Sequence, residues 1–274
     1  MALSINASNS PLNISLNKAD KGTKTAFERL SSGLKVNSAK DNAAALFTIQ
    51  QQTADIRGID QAIRNAGDGI SLAQTAQGAL GSVNDNNQRI RELALQAANP
   101  TVENRDGIQA EIDQLTQENS RIAETTSFNG QSLFQNGSID FQLGEDGGNA
   151  QQVSVDLQSL DAVSTVDTSD LNATGTVDVS SAAAAQASLS QLDSDINAVS
   201  LQSGNFGAAE SRFSVSTNQL ADRSVNLQEA RSRIQDADIA EETARKTRSQ
   251  ILSQSAVLVL QHNPIFLGLQ PSPF

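Results

Sequence analysis

His262 is the only histidine of the chain and cysteine is absent, so the side chains that most often do chemistry near neutral pH are nearly missing. A Ser-His-Asp triad would have to use His262 as its base. That residue sits in HNPIFLGLQPSPF, a tail with three prolines that cannot be one straight helix, and a surface or packing role suits it better. Without cysteine there is no thiolate nucleophile, no disulfide and no sulfur-ligated metal. No phosphate loop of the GxxxxGK type, no HExxH pair and no EF-hand loop is present. The remaining donor group is Asp140, Glu145 and Asp146 around FQLGEDGGN. Several oxygens on a flexible loop could hold a hard cation, but a solvated acidic turn is the simpler account. The expectation is a chain with no catalytic residue, no cofactor and no metal.

The charge balance excludes further classes. A net charge of −12 and a pI near 4.5 oppose binding to nucleic acid, which needs clustered Lys and Arg to neutralise phosphates. They oppose an anionic membrane surface for the same reason. No run of about 18 apolar residues exists to span a bilayer. The first residues, MALSINASNSPLNISL, have neither a basic n-region nor a continuous apolar stretch, so no Sec-type signal is expected there. Nine Phe and no Trp or Tyr leave little material for a thick core. Thin, extended interfaces suit this composition.

Hydrophobic spacing then shows what must carry any functional surface. Ser10 and Pro11 read as a helix start, and Leu12, Leu16, Ala19, Thr23, Phe27, Leu30 and Leu34 follow at spacings of three and four, one apolar stripe. Gly33 and a Ser/Asn cluster end it. A second pattern runs from Ile49 through Ile56, Ile59, Ile63, Ala66, Ile70, Ala73, Ala76, Leu80, Val83, Ile90 and Leu93 to Ala97, and Asn99-Pro100 stops it. Its length is about 80 Å at 1.5 Å per residue, too long for a compact globule whose radius of gyration would be about 19 Å. Ile108, Ile112, Leu115 and Ile122 predict a third helix. From Ser127 to about Ser181, Asn-Gly pairs and the alternations SIDFQL and QQVSVDLQSL predict short strands and hairpins. Leu192, Val199, Phe206, Phe213, Leu220, Leu227 and Ile234 then occupy seven consecutive heptad positions, which implies helices packed side by side. The second seam position is often polar (Gln202, Ser216, Arg223), which favours a mixed bundle over a two-stranded zipper. Ala244, Ile251 and Leu258 share a face near the end. The expected fold is mainly α: an elongated rod of long antiparallel coiled-coil-like helices with a small β-hairpin region.

Five segments carry a family resemblance: MALSIN at the start, RLSSGLKVNSAKDNAA at 29–44, QRIRELALQAAN at 88–99, SFNGQSLF at 127–134 and ARSRIQDADIAEETARKTRSQIL at 230–252. Together they resemble bacterial flagellin, in a minimal form with little or no outer variable domain. The resemblance implies four parts: residues 1–40 as the N-terminal inner-core (D0) helix and the start of the spoke, 41–180 as D1 rod helices with the hairpin region and a short tip, 181–236 as the long C-terminal D1 helix, and 237–274 as the C-terminal D0 segment. It implies that Leu12, Leu16, Leu30, Leu34, Ile251 and Leu258 pack the core helices, and that Ser31, Ser32, Gly33 and Asn37 form the spoke.

The same resemblance marks Gln88, Arg89, Leu93 and Glu111 as a subunit-interface patch that also matches the contact site for Toll-like receptor 5 of a host. An ordinary solvated helix face remains the alternative there. The implied partners are further copies of the chain in a helical filament, a flagellar export chaperone and a cap protein. The implied location is the extracellular flagellum, reached by type III export without a cleaved signal. O-glycosylation is implied for exposed Ser and Thr between Thr165 and Ser181. The terminal helices are expected to be too poor in apolar area to hold together alone and to become ordered on joining neighbours. Two other readings stay open at this point: a surface-displayed homologue that binds polysaccharide or acts in adhesion, and a hook-filament junction protein. The tail VLVLQHNPIFLGLQPSPF departs from the usual polar repeat, so the C-terminal inner helix is the least defined element.

Overall fold

The structure is a computed structural model that describes residues 10–144, 151–157, 160, 163, 165–166 and 177–261, without the side chains of 10–12 and 260–261. MALSIN, Glu145, Asp146, His262 and the three tail prolines lie outside the described residues. Among the described residues, five helices and four short strands follow in the order α1 (Ser10–Ser32), α2 (Ala39–Ala97), α3 (Arg105–Thr125), β1 (Ser127–Phe128), β2 (Gln131–Ser132), β3 (Gly137–Gln142), β4 (Gln152–Leu157), α4 (Ala182–Gln235) and α5 (Ile239–Gln261). The chain divides into two compact units. One holds residues 57–224, the other the two ends, 1–56 and 225–274.

In the unit of residues 57–224, α2 and α4 run antiparallel. Gly69 meets Phe213, Gln74 donates to Glu210, and Arg91 pairs with Asp193, so residue numbers fall along one helix as they rise along the other. Five of the seven heptad positions read from the sequence line the seam: Leu192, Val199, Phe206, Phe213 and Leu220 are buried, whereas Leu227 and Ile234 are half-buried. On α2, Ile59, Ala62, Ala66, Leu72, Ala73, Ala76, Leu80, Val83 and Ile90 are also buried. The chain turns back after α2 because Arg105 closes its open end, donating Nε to the Ala97 carbonyl (3.0 Å) and Nη2 to that of Asn99 (2.9 Å). Asn104 then starts α3 by accepting from the Gly107 N–H. One core cluster joins Ile90, Leu93, Ala94 and Ala97 of α2 to Ile108 and Ile112 of α3, Val177 and Val179 of the returning segment, and Ala185 and Leu192 of α4.

Among its described residues, the β region contains two antiparallel pairs, β1 with β2 and β3 with β4. The first closes over Asn129 (φ 51) and Gly130 (φ 82), the left-handed pair that a two-residue hairpin requires. In β4, Val153, Val155 and Leu157 face inward and Ser154 and Asp156 outward, the alternation read from the sequence. Side-chain amides hold this region to the helices. Asn65 Nδ2 donates to the Gln142 carbonyl (2.9 Å). Gln109 bonds Val177 O and Val179 N at 2.9 Å each, as a neighbouring strand would. Thr165 is fully buried and donates to Asn87 Oδ1 at 2.7 Å. That corrects the glycosylation range, since Thr165 is not an exposed hydroxyl; Ser180 and Ser181 are exposed.

Candidate assembly interface

The unit formed by the two chain ends is built on α1 and α5, which run antiparallel: Arg29 meets Glu242, Gly22 meets Ser249, and Asp20 accepts from Ser253. The seam is made of small residues. Ala19 and Ala26 are buried, and a Cβ on Gly22 would lie 2.7 Å from Ser249 Oγ, so the two backbones approach closely and leave no room for large side chains. The stripe read from the sequence is therefore only partly the buried one. Leu16, Leu30 and Leu34 are half-buried at the edges of the seam, and the Leu12 side chain lies outside the described residues. Phe27 points outward, 60% exposed, with Lys246 Nζ 5.6 Å from its ring centre.

Many of the larger apolar side chains of this unit face away from the seam, although Val36, Ile49 and Ile56 are buried. Ile14, Phe27, Phe47, Ile239, Ile251, Leu252, Val257, Leu258 and Val259 are all exposed, Ile251 and Leu258 at 57% each. Ile251 and Leu258, which share a face in the sequence, thus each leave more than half of their surface uncovered in the single chain. A shallow depression on α5 is lined by Ala240, Ala244, Thr247, Ile251 and Leu252. Scattered surface leucines are ordinary, but a contiguous set of large apolar groups along one helix marks a binding surface.

Between the terminal helices and their continuations the chain crosses twice, and the two crossings pair. Lys35 N–H donates to Gln235 O (2.6 Å), Ala237 N–H donates to Gly33 O (2.9 Å), and Leu34 bridges Asp236. Gly33 (φ 72) ends α1, its N–H on the Arg29 carbonyl at 2.8 Å, the left-handed cap that favours glycine. The Ser32 hydroxyl accepts from the Leu34 N–H and from Asn37 Nδ2. Ser38 and Asp41 then open α2: the Asp41 carboxylate accepts from the Ser38 hydroxyl, the Ser38 N–H and the Asn37 N–H, and Ser38 O accepts from Asp41 N–H. Burial pushes the Asp41 carboxyl up, but the bonds from Ser38 and Asn37 and the charge of Lys40 outweigh it and hold it below its ordinary value. Ser32, Gly33 and Asn37 of the expected spoke thus have defined work in this crossing, while Ser31 is exposed at the end of α1.

On α2 and α3, Gln88, Arg89 and Glu111 are exposed together. Arg89 Nη2 lies 2.8 Å from Glu111 and Nη1 lies 3.2 Å from Glu92. The Glu111 bond, then the Glu92 bond, hold the guanidinium above its ordinary pKa. Leu93 corrects the expected patch, being 2% exposed within the core cluster of α2 and α3. Its position one place from Glu92 turns it inward, and Leu95, 48% exposed, is the large apolar residue that faces out nearby. Among the described residues no three His, Cys, Asp or Glu side chains converge as a metal site, and no helix is long and apolar enough to cross a membrane.

Two family models match the chain, the bacterial flagellin N-terminal helical region over residues 3–138 and the bacterial flagellin C-terminal helical region over residues 189–263. A flagellin of Halalkalibacterium halodurans is 38% identical over 253 residues, which span 91% of this chain and 89% of that protein. The chain belongs to the bacterial flagellins. A crystal structure of Bacillus cereus flagellin superposes with a TM-score of 0.50 at 27% identity, covering 61% of this chain and 94% of that one. A hook-associated flagellar protein structure from Vibrio parahaemolyticus gives 0.59 at 12% identity, over 71% and 99% of the two chains, and shares the fold. As a flagellin, the chain is a structural subunit of the extracellular flagellar filament and not an enzyme.

Proposed function

We propose that this chain joins the filament through its terminal helices, whose outward apolar side chains are covered by neighbouring copies. The observation that carries this is the inverted character of the α1–α5 pair: alanine, glycine and serine inside, Ile14, Ile251, Leu252, Val257 and Leu258 outside. Burying each such side chain between copies contributes about 1.5–3 kcal/mol. The pair alone gains little, since its seam buries few large apolar groups. Contacts of this kind between unlike faces do not close, and an open helix results.

Within that reading, residues 1–40 and 237–274 form the inner core, and the paired crossing at Ser32, Gly33 and Asn37 is the spoke. Residues 41–236 form the rod and its hairpin region. Gln88, Arg89 and Glu111 meet a neighbouring subunit or Toll-like receptor 5 through charge and hydrogen bonds, without the Leu93 side chain. An export chaperone covers the apolar face of α5 before type III export, and a cap protein receives the subunit at the growing tip. The test is electron microscopy of purified chain added to short filament seeds: seeds that lengthen support the reading, and seeds that stay unchanged at high subunit concentration contradict it.

A further inference from the structure

Arg29 and Glu242 form an ion pair between α1 and α5, Nη1 to Oε1 at 2.8 Å, with side chains only 19% and 7% exposed. Glu242 is among the few charged residues buried anywhere in the described chain, and Arg29 Nε is buried with no partner of its own. Arg245 approaches the same carboxylate less closely, at 3.8 Å, and is itself committed to Glu241 at 2.6 Å.

Within the seam the side chains are small, Ala19, Gly22 and Ala26 against Ser249, and by themselves they do little to oppose a slip of one helical turn. The crossing bonds of Lys35 N–H to Gln235 O and of Ala237 N–H to Gly33 O oppose it from one end of the pair. The ion pair does not tolerate the slip. Moving α5 one way sets Arg29 against Arg245 and Lys246 and leaves Glu242 near Ser32 and Gly33. Moving it the other way leaves the Glu242 carboxylate facing Thr25 and Ala26. Each shifted state strands a buried charge, and a half-broken buried pair is costly where an intact one is near neutral.

We infer that the Arg29–Glu242 pair selects the register of the terminal helices, and that filament growth depends on this register because it fixes which apolar side chains face each neighbour. This rests on the assembly reading given above. A slip of one turn moves Ile251 and Leu258 by about 5.4 Å along the pair, enough to misplace them against any fixed partner surface. Arg29 and Glu242 are positioning residues: they touch each other and act through the groups they align.

The test is seeded growth with wild type, Arg29→Glu, Glu242→Arg, Glu242→Gln, the double exchange Arg29→Glu/Glu242→Arg, and an equal mixture of the two single charge reversals. Far-UV circular dichroism first establishes that each variant retains the helical bundle. Each single variant is expected to elongate seeds at least about tenfold more slowly than wild type. The double exchange recovers most of that loss, and the mixture does not, because the pair forms within one chain. Single variants that grow at the wild-type rate, a double exchange as slow as its parents, or a mixture that recovers would each overturn the inference. Failure of wild type itself to grow overturns the assembly reading instead, so the two failures are distinguishable.

Discussion

Gly69 of α2 lies beneath the ring of Phe213 of α4, so close that a Cβ at this position would sit 2.6 Å from Cζ and 2.8 Å from Cε2. Phe213 is fully buried and meets Phe141 of β3 edge-on, ring centres 5.2 Å apart at 83°. The ring thus joins both long helices to the hairpin, and it cannot retreat.

Gly69→Ala and Gly67→Ala should therefore act in opposite directions, although the two sites are only two residues apart. At Gly69 the overpacking cost of about 1–3 kcal/mol exceeds the helix-propensity gain of about 1 kcal/mol, and the unfolding midpoint falls. At Gly67 nothing lies within 4 Å, so only the gain remains and the midpoint rises. Urea titrations of both variants followed by circular dichroism check the signs; two changes of equal sign would show that Phe213 has more freedom than its packing indicates.

A buried polar chain links α2, α3 and the returning segment. Asn86 Nδ2 donates to Asn119 Oδ1, Asn119 Nδ2 to Asn87 Oδ1, and Thr165 Oγ1 to the same Asn87 oxygen, at 2.8, 2.8 and 2.7 Å. Asn119→Ala should cost about 1–3 kcal/mol, because it strands its partners in a dry site. Thr165→Val should cost less, and the double variant should depart from the sum of the two, since both act on Asn87. Denaturant midpoints of the four proteins in this cycle measure the coupling; strict additivity would mean that the three groups do not act as a network.

These two sites show what was legible beforehand. Large apolar residues at regular spacing gave the long helices and the heptad seam from Leu192 to Leu220 without the structure, and Asn129-Gly130 gave the first hairpin. The buried amides are not legible in the same way, because Asn in a helix reads as surface. The available signal was a gap: the apolar spacing from Val83 to Ile90 skips position 87, where a core residue is due. The seam of the terminal helices is hard to read for a different reason. Pattern reading weights bulk, so Phe27 counts in the stripe as heavily as the alanines. Close helix contact needs small groups, which assigned that role to Ala19, Gly22 and Ala26. Leu93 was placed in a surface patch by its resemblance, whereas its own spacing from Ile90 and Ala97 already put it in the core.

The start of α2 should carry an acid-sensitive contribution. The Asp41 carboxyl is held below its ordinary value in the fold, and in the unfolded chain it titrates near about 3.9. Its stabilisation is therefore fully present above that unfolded value and is lost as pH falls through the lower folded one. Asp41→Asn should melt below wild type at pH 6, with the gap closing toward pH 2. Melting curves across that range decide it: a gap that stays constant with pH would remove the carboxylate from the account.

The central claim is that the terminal helices are completed by copies of the chain, and amide hydrogen exchange of residues 13–32 and 239–259 measures it directly. In the free subunit these amides should exchange with little protection, because their seam buries few large apolar groups, while those along Leu192–Leu220 exchange slowly. In seeded filaments the protection of both terminal segments should rise by several orders of magnitude. Equal, strong protection of these segments in free subunit and filament would contradict the account.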